Sequence, residues 1–204
     1  MRKTLIKNAK IYDGSGAPAF FGDVLIEGER ILQIAESIPE ESAFEIVDLK
    51  GLSLAPGFID AHSHNDWFAL RKEPLKYFAP FIKQGITTFV SGNCGLAATG
   101  FSNDTPHKEK IGGGLFFFKD CIEPEGQVRD FLNKLDGKMP CNLAVLAGHC
   151  TARASVSGSA NRKLTGEEEH EMLDIMEQAL QQGAAGISLG LMYDPGLYAD
   201  TDEL

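Results

Sequence analysis

One apolar run ends in two histidines a single residue apart, Pro56-Gly57-Phe58-Ile59-Asp60-Ala61-His62-Ser63-His64, and it limits what the chain can be more than any other segment. The run predicts a strand, and in a strand residues two apart point to the same face. His62 and His64 can then offer two imidazoles to one ion. Neutral imidazole is a good ligand for zinc and related divalent metals. A bare H-x-H at a strand end is more often two polar residues in a loop. Here an apolar strand leads directly into the pair, which favours metal ligation.

On the N-terminal side the sequence reads as short strands joined by tight turns. Thr4-Leu5-Ile6 and Ala9-Lys10-Ile11 precede an Asp13-Gly14 turn. Residues 23–27 and 30–34 flank Gly28-Glu29, a hairpin signal. Residues 44–48 run to a Lys50-Gly51 turn and on to Leu52-Ser53-Leu54. The expectation is a small antiparallel β unit, marginal alone because two or three short strands bury little.

From Leu54 the texture changes. Four apolar segments (57–64, 87–93, 142–149 and 185–191) each end in polar or Gly-rich sequence, with helical stretches between them. The clearest predicted helix covers 166–182, where Met172, Met176, Ala179 and Leu180 share a face. Thr165 and Glu168 form a T-x-x-E capping box, and Gly183 stands where a C′ glycine belongs. Strand-helix alternation with buried, non-alternating strands predicts a parallel α/β sheet. Residues 95–126, with Gly112-Gly113-Gly114 and Phe116-Phe117-Phe118, fit neither pattern and read as an insertion or lid. The close of the chain, 198–204, reads as the start of another helix with Thr201 as its cap.

Composition narrows the class of partner. The 204 residues carry 19 Lys+Arg against 29 Asp+Glu, a formal charge of -10. Nucleic acid and anionic membranes reward clustered cations, so neither is expected as a main partner. No run approaches the roughly 18 apolar residues of a membrane helix, and the start lacks a signal-peptide core. Cys94, Cys121, Cys141 and Cys150 are irregularly spaced and unlike a secreted disulfide framework, so a cytoplasmic location is expected.

The strand at 56–64 resembles the amidohydrolase superfamily, in which such a P-G-F-I-D-x-H-x-H strand opens a TIM barrel and supplies two metal ligands. Residues 85–95 (GITTFVSGNCG) resemble the second strand of the N-acyl-D-amino-acid deacylases, the D-aminoacylase family. Residues 142–153 (NLAVLAGHCTAR) and 186–195 (GISLGLMYDP) resemble that family's third and fourth strands. The resemblance implies residues 1–54 as part of a small β-sandwich and 55–204 as the first four βα units of a metal-dependent-hydrolase barrel. It implies Cys94 as a metal-bridging thiolate beside His62 and His64, with one or two zinc ions. A lone cysteine at a strand end is otherwise a small buried hydrophobe.

The same resemblance implies zinc-dependent hydrolysis of the amide bond of N-acyl-D-amino acids, with a small-molecule substrate. Tyr193, Arg153 and His149 are the candidates for contact with it. Each has an ordinary alternative: packing for Tyr193, a salt bridge for Arg153, a structural histidine for His149. Asp66 either orients His64 or sits in the loop, and His107 and His170 read as solvent-facing. Two further histidine ligands and a proton-shuttling Asp would lie beyond residue 204. A half-barrel is therefore expected to be inactive alone and to self-associate through exposed edges. Competing expectations are another cyclic-amide or dipeptide hydrolase (hydantoinase, dihydroorotase or isoaspartyl dipeptidase-like), which Cys94 disfavours, and a non-catalytic half-barrel.

Overall fold

The computed structural model describes residues 3–41, 44–112 and 125–204. The chain divides into two compact units, Met1–Gly57 and Phe58–Leu204.

The first unit is one sheet. Strands β1 (Lys3–Ile11), β2 (Phe20–Glu27), β3 (Arg30–Ala35) and β4 (Phe44–Asp48) lie in the order β3-β2-β1-β4, and β5 (Ser53–Leu54) also pairs with β1. Glu27 stands opposite Arg30, so Gly28-Glu29 is the expected two-residue turn. Gly28 takes the positive φ of 58° that type II′ turns place at their first central residue. The sheet is mixed rather than antiparallel, because β4 and β5 run parallel to β1. The segment between β3 and β4 carries the chain to the far side of β1, a crossover that parallel pairing needs. A bulge at Asn8 (φ 55°) shifts the β1 register between Ile6 and Ala9. Buried Asp23 supports it, with Oδ1 accepting the Asn8 N–H at 2.9 Å and Oδ2 the Ile38 N–H at 3.0 Å. Leu5, Leu25 and Ile38 form one core cluster and Ala9, Ile11 and Val24 another.

The second unit alternates strand and helix as its apolar segments predict. Its elements are β6 (Phe58–Asp60), α1 (Pro74–Lys83), β7 (Ile86–Ser91), α2 (Val128–Leu135), β8 (Asn142–Val145), β9 (Ala147–Gly148), α3 (His149–Ser157), α4 (Gly166–Gln181) and β10 (Ile187–Ser188). Strands β6, β7 and β8 pair in parallel, and so do β9 and β10. Only Leu146 separates β8 from β9. Its N–H bonds Ser91 O, while the Ala147 N–H bonds Gly186 O, so the chain passes from one neighbour to the next.

Three aromatic rings fasten α1 to the sheet. Phe78 and Phe81 meet Phe89 of β7 with centroids 5.3 and 5.5 Å apart. They stand three apart on one helix face. Val128, Phe131 and Leu135 repeat at helical spacing and bury α2 in the same way. Phe58 and Ile59, expected inside a covered sheet, are instead 65% and 67% exposed, since β6 is an edge strand among the described residues. The described part of the expected lid is packed in. Leu96, Ala97, Ala98, Phe101 and Ile111 are buried, whereas the Phe116-Phe117-Phe118 run lies outside the described residues. His107 is half-buried beneath Gly158 rather than solvent-facing. Among the described residues no helix is long and apolar enough to cross a membrane.

The predicted helix at 166–182 is α4, and its capping box forms as expected. Thr165 Oγ1 accepts the Glu168 N–H and Glu168 Oε2 accepts the Thr165 N–H. Gly183 follows with φ 115°. The Glu168 carboxyl is drawn down to about 2, first by its hydrogen bonds from Arg162 and then by the cap. Folding therefore favours the ionised form. The stabilisation is present above the ordinary carboxyl value near 4.5 and is lost as pH falls towards 2. Acid unfolding followed by circular dichroism should show a shallower decline between those values in Glu168→Gln than in the parent.

Candidate metal centre

The turn after β6 presents the two histidines. The strand ends at Asp60, whose Oδ1 accepts the His62 N–H at 3.1 Å. The pair thus lies just past the strand rather than in it. Alternation nonetheless persists, because the Ser63 N–H still bonds Val90 O at 3.0 Å. Ser63 is buried between exposed His62 and half-buried His64. The two rings meet edge-on, 5.6 Å between centroids and 71° between planes. Desolvation, then the neighbouring His62, hold the His64 imidazole below its ordinary value. That keeps it in the neutral, ligating form.

Cys94 arrives from the adjacent strand. After β7 the chain turns through Gly92 (φ 79°), Cys94 (φ 56°) and Gly95 (φ 72°). A left-handed conformation is uncommon for a residue with a side chain and persists only where its surroundings enforce it. Here it brings Cys94 Sγ to 3.4 Å from His62 Nε2. One donor atom from each of His62, His64 and Cys94 lies within 4.8 Å of the others. A tetrahedral zinc about 2.3 Å from sulfur and about 2.05 Å from nitrogen would set those two donors roughly 3.6 Å apart. The donor chemistry and the observed spacing both suit that ion.

Asp66 links the two turns. It is buried, its Oδ2 accepts the Ala98 N–H at 2.8 Å, and its Oδ1 meets the Ser91 hydroxyl, whose oxygen also lies 3.0 Å from Ser63 O. Burial pushes its carboxyl up to about 6 against those hydrogen bonds. Asp66 thus ties the loop after His64 to the end of β7 and to the segment after Cys94.

The other three candidates separate. Tyr193 is 38% exposed, and its ring lies beside Gly190, which abuts the Cys94 carbonyl. His149 opens α3 instead of ending a strand. Its Nε2 lies 2.8 Å from Glu203 Oε1, an oxygen that also accepts from Arg153 Nε at 2.8 Å. Arg153 is fully buried, with Nη2 donating to the carbonyls of Arg162 and Tyr198. These two side chains engage Glu203 and are not part of the His62, His64 and Cys94 cluster. At 198–204 Asp200, not Thr201, accepts the Glu203 N–H.

Residues 45–204 match the model of the amidohydrolase family. The chain belongs to that family. It is 34% identical to the D-aminoacylase of Alcaligenes xylosoxydans xylosoxydans over 98% of its own length and 40% of that relative's. Among solved structures it is similar to a D-aminoacylase described as having a binuclear metal centre, with TM-score 0.82 and 30% identity over 98% of this chain and 41% of the other. It also matches N-acyl-D-glutamate deacylase from Bordetella bronchiseptica complexed with zinc and a phosphonate inhibitor, with TM-score 0.79 and 31% identity over all of this chain and 41% of that one. The chain thus spans about 40% of the length of these relatives, with a mixed α/β fold matching theirs.

Proposed function

We propose that this chain supplies the first metal ligands of a zinc-dependent hydrolase that splits N-acyl-D-amino acids into a D-amino acid and a carboxylate. The observation that carries the reading is the convergence of His62, His64 and Cys94 from two adjacent strand ends. The deacylases it resembles, one of them complexed with zinc, support both the metal and the substrate class. In this reading β6, β7, β8 with its continuation β9, and β10 are the first four strands of a TIM barrel, 1–54 contribute to a β-sandwich, and one or two ions bind at the strand ends. A ligating thiolate requires reduced cysteine, which agrees with a cytoplasmic setting.

When bound, zinc supplies electrophilic polarisation of a carbonyl and a lowered pKa for water. His62 and His64 would hold it through ring nitrogens and Cys94 through its sulfur. Asp66, through Ser91 and Ala98, fixes the spacing between the two loops. Tyr193 is the side chain we assign to the substrate. His149 and Arg153 hold the segment around Glu203 against α3.

Zinc titration of the 204-residue chain against a chromophoric chelator tests the site without requiring turnover. Cys94→Ala and His62→Ala are each expected to weaken binding by more than the roughly 100-fold that losing a supporting hydrogen bond costs. Zinc affinity unchanged in both variants would sink the metal reading. The reaction is read on the protein that carries this chain, with N-acetyl-D-amino acids, their L enantiomers, hydantoin and dihydroorotate. Release of D-amino acid that is abolished by chelation and restored by zinc is expected. Turnover confined to the cyclic amides overturns the substrate assignment.

A further inference from the structure

We propose that Ser188 is the positioning residue for the Cys94 thiolate, holding it in the left-handed turn that aims the sulfur at His62. This rests on the reading of Cys94 as a metal ligand. Ser188 lies at the end of β10, far along the chain from Cys94, yet its hydroxyl reaches both sides of that residue. It meets the Gly92 carbonyl and accepts the Gly95 N–H at 3.0 Å. One hydroxyl has one proton to give and lone pairs to receive, so the two bonds are compatible.

The turn needs such a tie. Gly92 and Gly95 flank Cys94 with φ of 79° and 72°, and glycine crosses between positive and negative φ with little cost. Two permissive joints around one ligand would let the intervening peptides rotate and carry the sulfur away. The Leu96 N–H on Asn93 O closes the turn upon itself but ties it to no other element. Thr151, near the start of α3, anchors the segment beyond the turn. Its N–H bonds Gly95 O at 3.0 Å and its hydroxyl accepts the Ala97 N–H at 2.9 Å. Ser188 fixes the approach from Gly92 as well as the exit at Gly95. The αL residue is thereby held at both ends by β10.

The role is testable through the metal rather than through fold alone. In Ser188→Ala, zinc affinity measured by chelator competition should fall about 10- to 100-fold, the usual effect of losing a partner that orients a ligand. The sulfur-to-metal charge-transfer absorption of the cobalt-substituted protein should weaken in parallel. In a Cys94→Ala background the same substitution should change affinity by no more than about twofold, since an effect that runs through the Cys94 sulfur vanishes with it, the non-additivity expected of coupled residues. Thr105→Val removes another buried hydroxyl, which bonds Ser155 O at 2.5 Å, and is expected to lower stability while leaving affinity and spectrum alone. Ser188→Thr keeps the hydroxyl and should retain the parent spectrum, which reads the role even where the alanine variant folds poorly.

An Ala variant with parent affinity and absorption overturns the proposal. So does a Thr variant as impaired as the Ala variant, or a loss that persists undiminished without Cys94. Parent-like zinc affinity in Cys94→Ala itself would instead overturn the metal reading beneath it.

Discussion

Glu203→Ala is expected to destabilise the second unit by about 3–5 kcal/mol, the cost of breaking a buried ion pair from one side. Glu203 is 5% exposed and its Oε1 receives both Arg153 Nε and the His149 ring, each at 2.8 Å. Without it, a fully buried guanidinium keeps, among the described residues, only two backbone carbonyls as partners, those of Arg162 and Tyr198, and its Nη1 has no hydrogen-bond partner among them even now. Desolvation holds the His149 imidazole below its ordinary value, and in neither of its forms does the ring carry the negative charge that would balance Arg153. Urea denaturation should show the loss directly. Truncating Asp174, whose ion pair with His170 is largely exposed, should change stability by about 0.5 kcal/mol or less. Replacing both Arg153 and Glu203 by apolar residues of similar volume should recover much of the loss, because the penalty comes from an unmatched charge. A Glu203→Ala variant no weaker than the Asp174 variant would show that this triad does not hold α3 to the segment after β10.

That triad also marks where sequence reasoning stops. His149 and Arg153 resemble site residues because they lie in a polar segment after an apolar strand, and their partner stands fifty or more residues away. No local pattern encodes such a pairing. The capping box at Thr165 and Glu168 was legible because its reciprocal bonds close within four residues. The Gly28-Glu29 turn was legible because two residues alone set it. Parallel pairing of β4 with β1 depends on where a crossover lands, and the alternation of β4 reads the same for either direction. The donors at 62, 64 and 94 were visible as residue types. What brings the sulfur to 3.4 Å from His62, a left-handed cysteine tied to β10, became visible only when chain segments far apart in sequence met.

Gly190→Ala should be the most damaging single-methyl change near His62, His64 and Cys94. A Cβ at Gly190 would overlap the Cys94 carbonyl oxygen, lie 2.5 Å from its carbon and press to 3.2 Å from the Tyr193 ring. The obstacle is backbone on one side, so no flexible side-chain end can give way. Either the Cys94 turn moves, with Ser188 and Thr151 resisting, or the loop after β10 lifts. Cys150, which donates its thiol hydrogen to Gly190 O at 3.3 Å, would lose that contact in the second case. Forced overpacking of a close contact usually costs about 1–3 kcal/mol, and a clash with backbone belongs at or above the upper end. Gly166→Ala supplies the contrast, since nothing lies within 4 Å of its added Cβ and the helix start there gains from alanine. Melting and zinc affinity should therefore fall together at 190 and neither should fall at 166. Stability lost at 190 with zinc affinity intact would mean that the β10 loop yields and the cysteine turn does not, which would uncouple Tyr193 from the Cys94 turn.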